Sequence, residues 1–262
     1  MTDALLIRED HDHIATLTLN SPANFNALSD EMIAALSAEI ARLAQDRSIR
    51  AVILRGAGKA FCAGHDLRQM QSHRADADKG AAYYARLFTA CAAMMQSLQA
   101  LPQATIAQVH TIATAAGCQL AASCDMVVAA SGTRFGVNGI NIGLFCSTPM
   151  VALSRKVPPA VAFEMLTTGE FISAERAREV GLVNRVTAPE DLASETRKLA
   201  ETVAGKLSKA SRIGKAAFYD QLPLTTAEAY ALAGKAMVEN MLTPDTDEGI
   251  CAFLEKRPPN WG

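Results

Sequence analysis

Cysteine and histidine are the residue types of this chain that could supply nucleophiles, metal ligands or proton-transfer groups. No two of the six cysteines form a Cys-x-x-Cys pair, and none stands at zinc-ligand spacing from one of the five histidines. The sequence therefore predicts no metal site. Apolar residues flank the cysteines, so we expect reduced, buried thiols that behave as small apolar side chains. These cysteines are Cys62, Cys91, Cys118, Cys124, Cys146 and Cys251.

Two long segments without Asp, Glu, Lys or Arg indicate where a buried ligand site lies. Residues 87–124 contain none of these, but glutamines, a histidine and a proline interrupt every window long enough to span a membrane. Residues 135–154 are also uncharged, and their glycines and asparagines are typical of tight turns and close backbone approach. We interpret the first segment as the buried centre of a soluble protein and the second as loops beside it.

Alternating strands and helices must position these segments. The period-two pattern of residues 14–19 predicts a strand that pairs with residues 4–8, and the apolar run 51–54 predicts a buried strand. Ser29, followed by two acidic residues and an apolar stripe at helical spacing, predicts a helix that ends near residue 44. We predict further helices at 81–98 and 117–123, and further strands at 105–109, 126–129 and 183–186. This order indicates an α/β fold.

The last part of the chain has the pattern of helices alone. Ser173, Pro189, a capping box of Thr225 with Glu228, and Thr243 each mark a helix start. We therefore divide the chain into a core of residues 1–205 and a helical C-terminal region of residues 206–262.

Composition excludes several classes of protein. The 262 residues carry 25 basic and 27 acidic side chains, and a net charge of −2 argues against nucleic-acid binding. A chain of this length buries enough surface to fold without disulfides or metals. Acidic residues stand near the N-terminus, where a secretion signal requires basic residues and an apolar segment. Together with reduced cysteines, this predicts a cytoplasmic location.

Three segments carry a distinctive combination of motifs. They are KAFCAGHDL at 59–67, AAGCQLA followed by Cys124 and Asp125, and FG at 135–136 followed by NIGL at 141–144. In their order and spacing they resemble the enoyl-CoA hydratase/isomerase (crotonase) superfamily, and matches at 26–28, 166–174, 181–183 and 249–257 extend the resemblance over nearly the whole chain. Residues 137–149 and 215–223 are most similar to the enoyl-CoA hydratase domain-containing protein 3 subgroup.

The resemblance implies a crotonase-type spiral of ββα turns, with a C-terminal region that forms homotrimers or dimers of trimers. It also implies acyl-CoA thioesters as substrates, so that coenzyme A is part of the substrate and no tightly bound cofactor is expected. In this family two backbone N–H groups stabilise negative charge on the thioester oxygen, and here they belong to His65 and Ala116. Relatives usually have glycine in place of Ala116, which raises the question of backbone strain there.

The resemblance also implies which positions contact coenzyme A. Phe253 and Lys256 would reach it from the C-terminal helix, often that of a neighbouring subunit. Two alternatives stay open, since Asp66 can position its loop by hydrogen bonds and Lys256 can be a solvated helix residue. The remaining implied contacts lie in two segments: Asn26, Ala27, Leu28, Lys59, Ala60, Phe61, Ala63, Gly64, His65, Asp66 and Leu67.

The sequence departs from the family at two positions. Hydratases of the family add water with two glutamates, and here those positions hold Gln119 and Gly139. Water addition needs a base that activates water and an acid that protonates the α-carbon. Gln119 cannot titrate and Gly139 has no side chain, so the standard hydratase mechanism is not predicted.

Three other residues are candidates for catalytic chemistry. Cys146 and Ser147 lie on a segment where other members of the superfamily place a working carboxylate. Cys146 has no identified base, and Ser147 can instead cap the next helix. His65 titrates near neutral pH and could act as acid or base as well as donating its backbone N–H.

We therefore predict an acyl-CoA enzyme, nominally a hydratase or isomerase, with a backbone oxyanion hole. An acyl-CoA thioesterase or decarboxylase is one alternative. A protein that binds acyl-CoA without catalysis is another.

Overall fold

The computed structural model describes residues 4–260, which form two β-sheets with helices packed around them. The larger sheet has six strands in the order β1-β2-β3-β4-β6-β9, and the smaller sheet has the order β5-β7-β8. The strands are β1 (Leu6–His11), β2 (Ile14–Leu19), β3 (Ala51–Gly56), β4 (Ala104–Val109), β5 (Ile112–Thr114), β6 (Met126–Ala130), β7 (Arg134–Gly136), β8 (Ile172–Ser173) and β9 (Arg185–Thr187).

The larger sheet begins with an antiparallel hairpin and continues with parallel strands. In the hairpin His11 pairs with Ile14, and left-handed backbone at Asp12 (φ 50°) and His13 (φ 65°) forms the tight turn. β2, β3, β4, β6 and β9 then pair in parallel. Parallel neighbours need crossover connections, which helices supply here. The predicted hairpin and the predicted α/β class are both confirmed.

Helices account for most of the remaining described residues. Ser29 accepts a hydrogen bond from the Met32 N–H at 3.2 Å, and Thr225 and Glu228 form the predicted capping box. The strands β5, β7 and β8 were not predicted, because two or three residues are too few to show a hydrophobic period. The helices are α1 (Asp30–Gln45), α2 (Leu67–Ser72), α3 (Ala81–Gln99), α4 (Ala116–Ser123), α5 (Pro149–Leu153), α6 (Pro159–Thr168), α7 (Ala174–Glu179), α8 (Leu192–Ala204), α9 (Ser208–Gln221), α10 (Thr226–Met241) and α11 (Pro244–Leu254).

The core has two parts because both faces of the larger sheet are covered. Leu17 and Leu54 pack with side chains of α1, α3 and α4 in one cluster, and Ile53 and Ile106 pack with α8 in the other. The uncharged residues 87–124 form most of α3 and all of β4, β5 and α4. Their buried side chains confirm that this segment is core. Between residues 4 and 260, no helix is both long and apolar enough to cross a bilayer.

The last three helices pack loosely against the rest of the chain. α9 is tied to the core by Asp125, whose carboxylate accepts hydrogen bonds from Lys215 Nζ and the Tyr219 hydroxyl, each at 2.7 Å, and from the Thr105 N–H at 2.6 Å. Asp125 is thus a structural residue. Large apolar side chains on α9, α10 and α11 remain exposed, among them Phe218, Tyr230 and Phe253.

Candidate active site

A cavity of about 320 Å³ opens beside the N-terminus of α4. Its walls come from the segment before and within α2, from Phe88 of α3, from the end of β5, and from the loop that leads into α5. No carboxylate and no lysine or arginine stands among the described residues that line it. Those residues are Ala63, His65, Leu67, Met70, Phe88, Thr114, Ala115, Ala116, Asn138, Gly139, Asn141, Ile142, Leu144, Phe145, Cys146, Ser147, Thr148 and Pro149.

Two residues that line this cavity have backbone N–H groups without a hydrogen-bond partner among the described residues. Within residues 4–260 the N–H groups of His65 and Ala116 donate to no backbone acceptor, and both residues line the cavity. Two glycines allow their segments to approach each other. A Cβ added at Gly64 would lie 3.2 Å from the Ala116 nitrogen, and one added at Gly117 would lie 2.1 Å from the carbonyl oxygen of Cys62. Free N–H groups held this way can stabilise negative charge on a ligand oxygen.

Backbone strain falls on Ala115 rather than on Ala116. Ala115 is the N-cap of α4 and has φ 48° and ψ −122°, a conformation suited to glycine. Its N–H donates to the carbonyl oxygen of Gly136 at 2.9 Å, which fixes the turn against β7. Ala116 is the first residue of the helix itself. The position at which strain was suspected is therefore unstrained, and its neighbour carries the strain.

The His65 side chain is held on one side only. Its Nδ1 lies 3.4 Å from the Leu28 carbonyl oxygen, and its ring meets Phe88 edge-on with 5.6 Å between ring centroids. Nε2 is buried and has no hydrogen-bond partner among the described residues. Burial lowers the pKa of His65 below its ordinary 6.5, although the Leu28 carbonyl and the Asp30 carboxylate favour the charged ring. The imidazole is therefore neutral at pH 7.

The two positions at which the resemblance implies catalytic glutamates differ in their surroundings. Gln119 is buried in α4, one turn after Ala116, and its Oε1 has no partner among the described residues. Gly139 lines the cavity, and the chain crowds it. A Cβ added there would lie 2.2 Å from the Leu144 carbonyl oxygen and 2.9 Å from Cys146 Sγ. The loop after Gly139 thus occupies the space where a side chain would begin.

Neither Cys146 nor Ser147 has the surroundings of an activated nucleophile. Cys146 lines the cavity but is buried, and burial raises the pKa of its thiol. A nucleophilic thiolate requires a lowered pKa. Ser147 is exposed and its hydroxyl donates weakly to the Phe145 carbonyl oxygen at 3.4 Å. The suggestion that Ser147 caps the next helix is wrong, because Thr148 is the N-cap residue of α5.

Several residues expected to contact coenzyme A have buried side chains engaged within the protein. Asn26 is fully buried and donates from Nδ2 to the carbonyl oxygens of Ala57 and Ala60, each at 2.8 Å, while its Oδ1 accepts from the Ser21 N–H. Its amide therefore joins two loops. Ala27, Leu28, Ala60 and Phe61 are also buried.

The remaining expected contacts lie at the cavity or on the outside. Ala63 and Leu67 line the cavity. The Asp66 carboxylate caps α2 by accepting from the Arg68 and Gln69 N–H groups at 2.9 and 3.2 Å, so it positions the loop. Lys59 and Lys256 are exposed.

Some cavity residues were not singled out individually from the sequence. Thr114 donates a hydrogen bond to Asn138 Oδ1 at 2.5 Å, and both line the cavity with Met70 and Phe88. They come from four different elements, and only the fold brings them together. Phe253 is not among them, and four-fifths of its surface is exposed.

Comparison with known proteins places this geometry in context. The family model of enoyl-CoA hydratase/isomerase matches residues 9–262. The chain is 42% identical over 260 residues to enoyl-CoA hydratase domain-containing protein 3, mitochondrial, of Xenopus laevis, covering 99% of this chain and 86% of the relative. A crystal structure of an enoyl-CoA hydratase from Mycobacterium smegmatis superposes with a TM-score of 0.95 at 51% identity, covering 99% of each chain. The human domain-containing protein 3 structure gives 0.93 at 40% identity, covering 98% of this chain and 100% of that one.

These relatives contradict the predicted cytoplasmic location. The vertebrate proteins that match at about 42% identity are named as mitochondrial. The prediction failed because its two arguments, reduced cysteines and acidic residues near the N-terminus, bear only on export to an oxidising compartment. Neither feature distinguishes one reducing compartment from another.

Proposed function

We propose, from the premise that this chain belongs to the enoyl-CoA hydratase/isomerase family, that it binds the acyl-CoA thioester at the cavity beside α4 and forms an enolate there without adding water. The family is one of crotonase-fold enzymes that process acyl-CoA, and this much follows from the match over residues 9–262. The reaction and the residues that perform it are our proposal.

One observation carries the proposal: the two unpartnered N–H groups of His65 and Ala116 at one cavity wall. A thioester carbonyl oxygen placed between them would gain two hydrogen bonds that strengthen as negative charge develops on it. The close approach at Gly64 and Gly117 preorganises both donors, so little reorganisation is needed when the charge forms. The apolar wall of Leu67, Met70 and Phe88 suits an acyl chain.

Water addition is not the proposed reaction because no described residue of the cavity carries a carboxylate. Gln119 cannot accept a proton, and the Leu144 carbonyl fills the place from which a side chain at Gly139 would extend. Thioester hydrolysis through a covalent intermediate is also disfavoured, since the pKa of the Cys146 thiol is raised. Isomerisation and decarboxylation remain, and both pass through an enolate.

A second candidate is a protein that binds acyl-CoA without turning it over. The same absence of carboxylates from the described cavity wall favours it. For both candidate functions, we propose that the exposed side chains of Lys59 and Lys256 contact coenzyme A, together with Phe253 of the C-terminal helix. The exposed apolar side chains of α9 to α11 support assembly into a homotrimer or a dimer of trimers, in which a neighbouring subunit covers them.

Mass spectrometry of a panel of acyl-CoA esters, each incubated with the full-length protein in ¹⁸O-water, tests these candidates. The panel contains saturated, 2-enoyl, 3-enoyl and malonyl-type esters. We expect a lost carboxyl group, or a shifted double bond that chromatography must resolve because the isomers have equal mass, and no ¹⁸O in the 2-enoyl product. Rapid ¹⁸O addition to the 2-enoyl ester would contradict the proposal. Binding with every ester unchanged would favour the second candidate.

A further inference from the structure

We propose that the His65 imidazole moves a proton between carbon 2 of the bound acyl thioester and solvent, an inference that rests on the proposed function. In this step the C2–H bond breaks, the proton goes to Nε2, and the electron pair moves into the enolate. The enolate oxygen lies at the N–H groups of His65 and Ala116. Return of a proton from Nε2 to carbon restores the thioester, so no other reactant is consumed.

The position of the ring supports this assignment. Nδ1 lies 3.4 Å from the Leu28 carbonyl oxygen, so the tautomer that donates to Leu28 leaves Nε2 as a bare acceptor. Nε2 lies on the opposite side of the ring from Leu28. It is buried without a partner among the described residues, while His65 and its neighbour Phe88 both line the cavity. A buried acceptor without a donor is costly, and a bound ligand can supply what it lacks.

No other side chain of the described cavity wall suits the role. Cys146 is the other titratable side chain in the described lining, and burial raises the pKa of its thiol, so the thiol stays protonated. Gln119 is not one of the lining residues, and although its buried Oε1 has no partner among the described residues, an amide does not titrate. His65 is the residue whose free base is present at neutral pH and whose lone pair is unoccupied.

The groups around the ring differ in what they do to it. From α1, the Asp30 carboxylate favours the charged imidazolium. From α3, the buried Tyr83 hydroxyl lies 3.5 Å from Asp30 Oδ1, and Phe88 is apolar. From the ring's own segment, the Asp66 carboxylate is engaged at the start of α2. Asp30 is thus the charge that should tune the proton affinity of His65.

Deuterium exchange tests the proposal without knowledge of the natural acyl group. The full-length protein is incubated with hexanoyl-CoA in D₂O, and mass spectrometry follows incorporation of deuterium at carbon 2. The dissociation constant for hexanoyl-CoA is measured in parallel. We expect wild-type protein to catalyse exchange and His65→Gln to lose about 100-fold or more of the rate, the usual contribution of a general base. His11→Gln, a matched change in the exposed β1–β2 hairpin, should leave the rate unchanged.

The outcomes separate this proposal from the proposed function. If hexanoyl-CoA binds but wild-type protein exchanges no deuterium, or if His65→Gln keeps the wild-type rate, the role of His65 is wrong and acyl-CoA binding stands. If hexanoyl-CoA does not bind at all, both fail. Loss of exchange in His65→Gln with the dissociation constant within about threefold of wild type supports the proposal.

A pH profile distinguishes proton transfer from a structural role. The exchange rate should fall on the acid side as the imidazole becomes protonated. Asp30→Asn removes a charge that favours imidazolium, so the acid limb should move to lower pH. An acid limb that stays in place in Asp30→Asn, or one that persists at the same pH in His65→Gln, would contradict the assignment.

Discussion

Gly117 lies so close to Cys62 that an added Cβ would stand 2.1 Å from the Cys62 carbonyl oxygen and 2.9 Å from its Cβ. This contact seats the first turn of α4 against the segment that carries His65. The two N–H donors of the cavity therefore depend on one residue that is itself neither donor nor ligand.

The contact predicts a large effect for a single methyl group. Gly117→Ala forces α4 and the segment 61–65 apart, and we expect a loss of roughly 2–3 kcal/mol in the free energy of unfolding together with weaker acyl-CoA binding. Urea denaturation measures the first and calorimetric titration the second. Gly214→Ala in α9, where an added Cβ meets nothing within 4 Å, is the control. It should be neutral or stabilising by up to about 1 kcal/mol.

The conformation of Ala115 predicts a stabilising substitution. At φ 48° and ψ −122°, strain of about 1–3 kcal/mol exceeds the roughly 0.4–1 kcal/mol that glycine adds to the entropy of the unfolded chain. Ala115→Gly should therefore raise the melting temperature. Ala116→Gly, one residue later and inside the helix, should lower it. Equal effects of the two changes would show that Ala115 is not strained.

Introducing glutamate at both positions should not produce hydration. Gly139→Glu must displace the Leu144 carbonyl, which lies 2.2 Å from the position of an added Cβ. The double change Gln119→Glu with Gly139→Glu should therefore lower the free energy of unfolding by roughly 1–3 kcal/mol. Absorbance at the enoyl thioester band follows hydration. Substantial hydration by a stable double variant would contradict the crowding at Gly139.

Asp125 predicts how the C-terminal helices are held. Lys215 keeps only 12% of its side-chain surface exposed against Asp125, so Asp125→Ala would leave a buried ammonium unpaired at a cost of roughly 3–5 kcal/mol. Hydrogen exchange should rise first in α9 and α10. Lys198→Ala, which breaks an exposed ion pair with Glu195 on α8, should change little. Uniform destabilisation without faster exchange in α9 would contradict a local anchor.

His65 predicts a pH dependence of stability. Its pKa is lowered in the folded protein chiefly by burial, so below its ordinary value of 6.5 the unfolded chain binds the proton more readily than the folded one. His65 therefore costs no stability well above pH 6.5, and the free energy of unfolding declines progressively as the pH falls from 6.5 toward the folded-state pKa. In His65→Gln the same decline between pH 7 and 5 should be shallower, as measured by urea denaturation at each pH.

Much of this fold could be predicted from local sequence. Ser29 with its acidic neighbours and Thr225 with Glu228 marked helix starts because capping depends on residues within one turn. The donors at His65 and Ala116 were expected from motif resemblance, and their assignment remains a proposal.

The rest depended on contacts between distant residues. No local pattern shows that the Asn26 amide donates to the carbonyl oxygens of Ala57 and Ala60, or that Lys215 donates to the Asp125 carboxylate. Nor could the sequence show that Leu144 folds back onto Gly139, because that turn depends on the packing of the whole loop.

The turn that brings Leu144 onto Gly139 limits which mutations can introduce a side chain at residue 139. A side chain lost by mutation can be regained by one codon change, but at residue 139 main chain occupies the place where the side chain would start. A route from this sequence to a glutamate-bearing site must first rebuild residues 143–147, and that step alone brings no gain in hydration. Gly139 is therefore difficult to exchange in a single mutational step, and directed selection for hydration should accept changes in the loop before any change at Gly139.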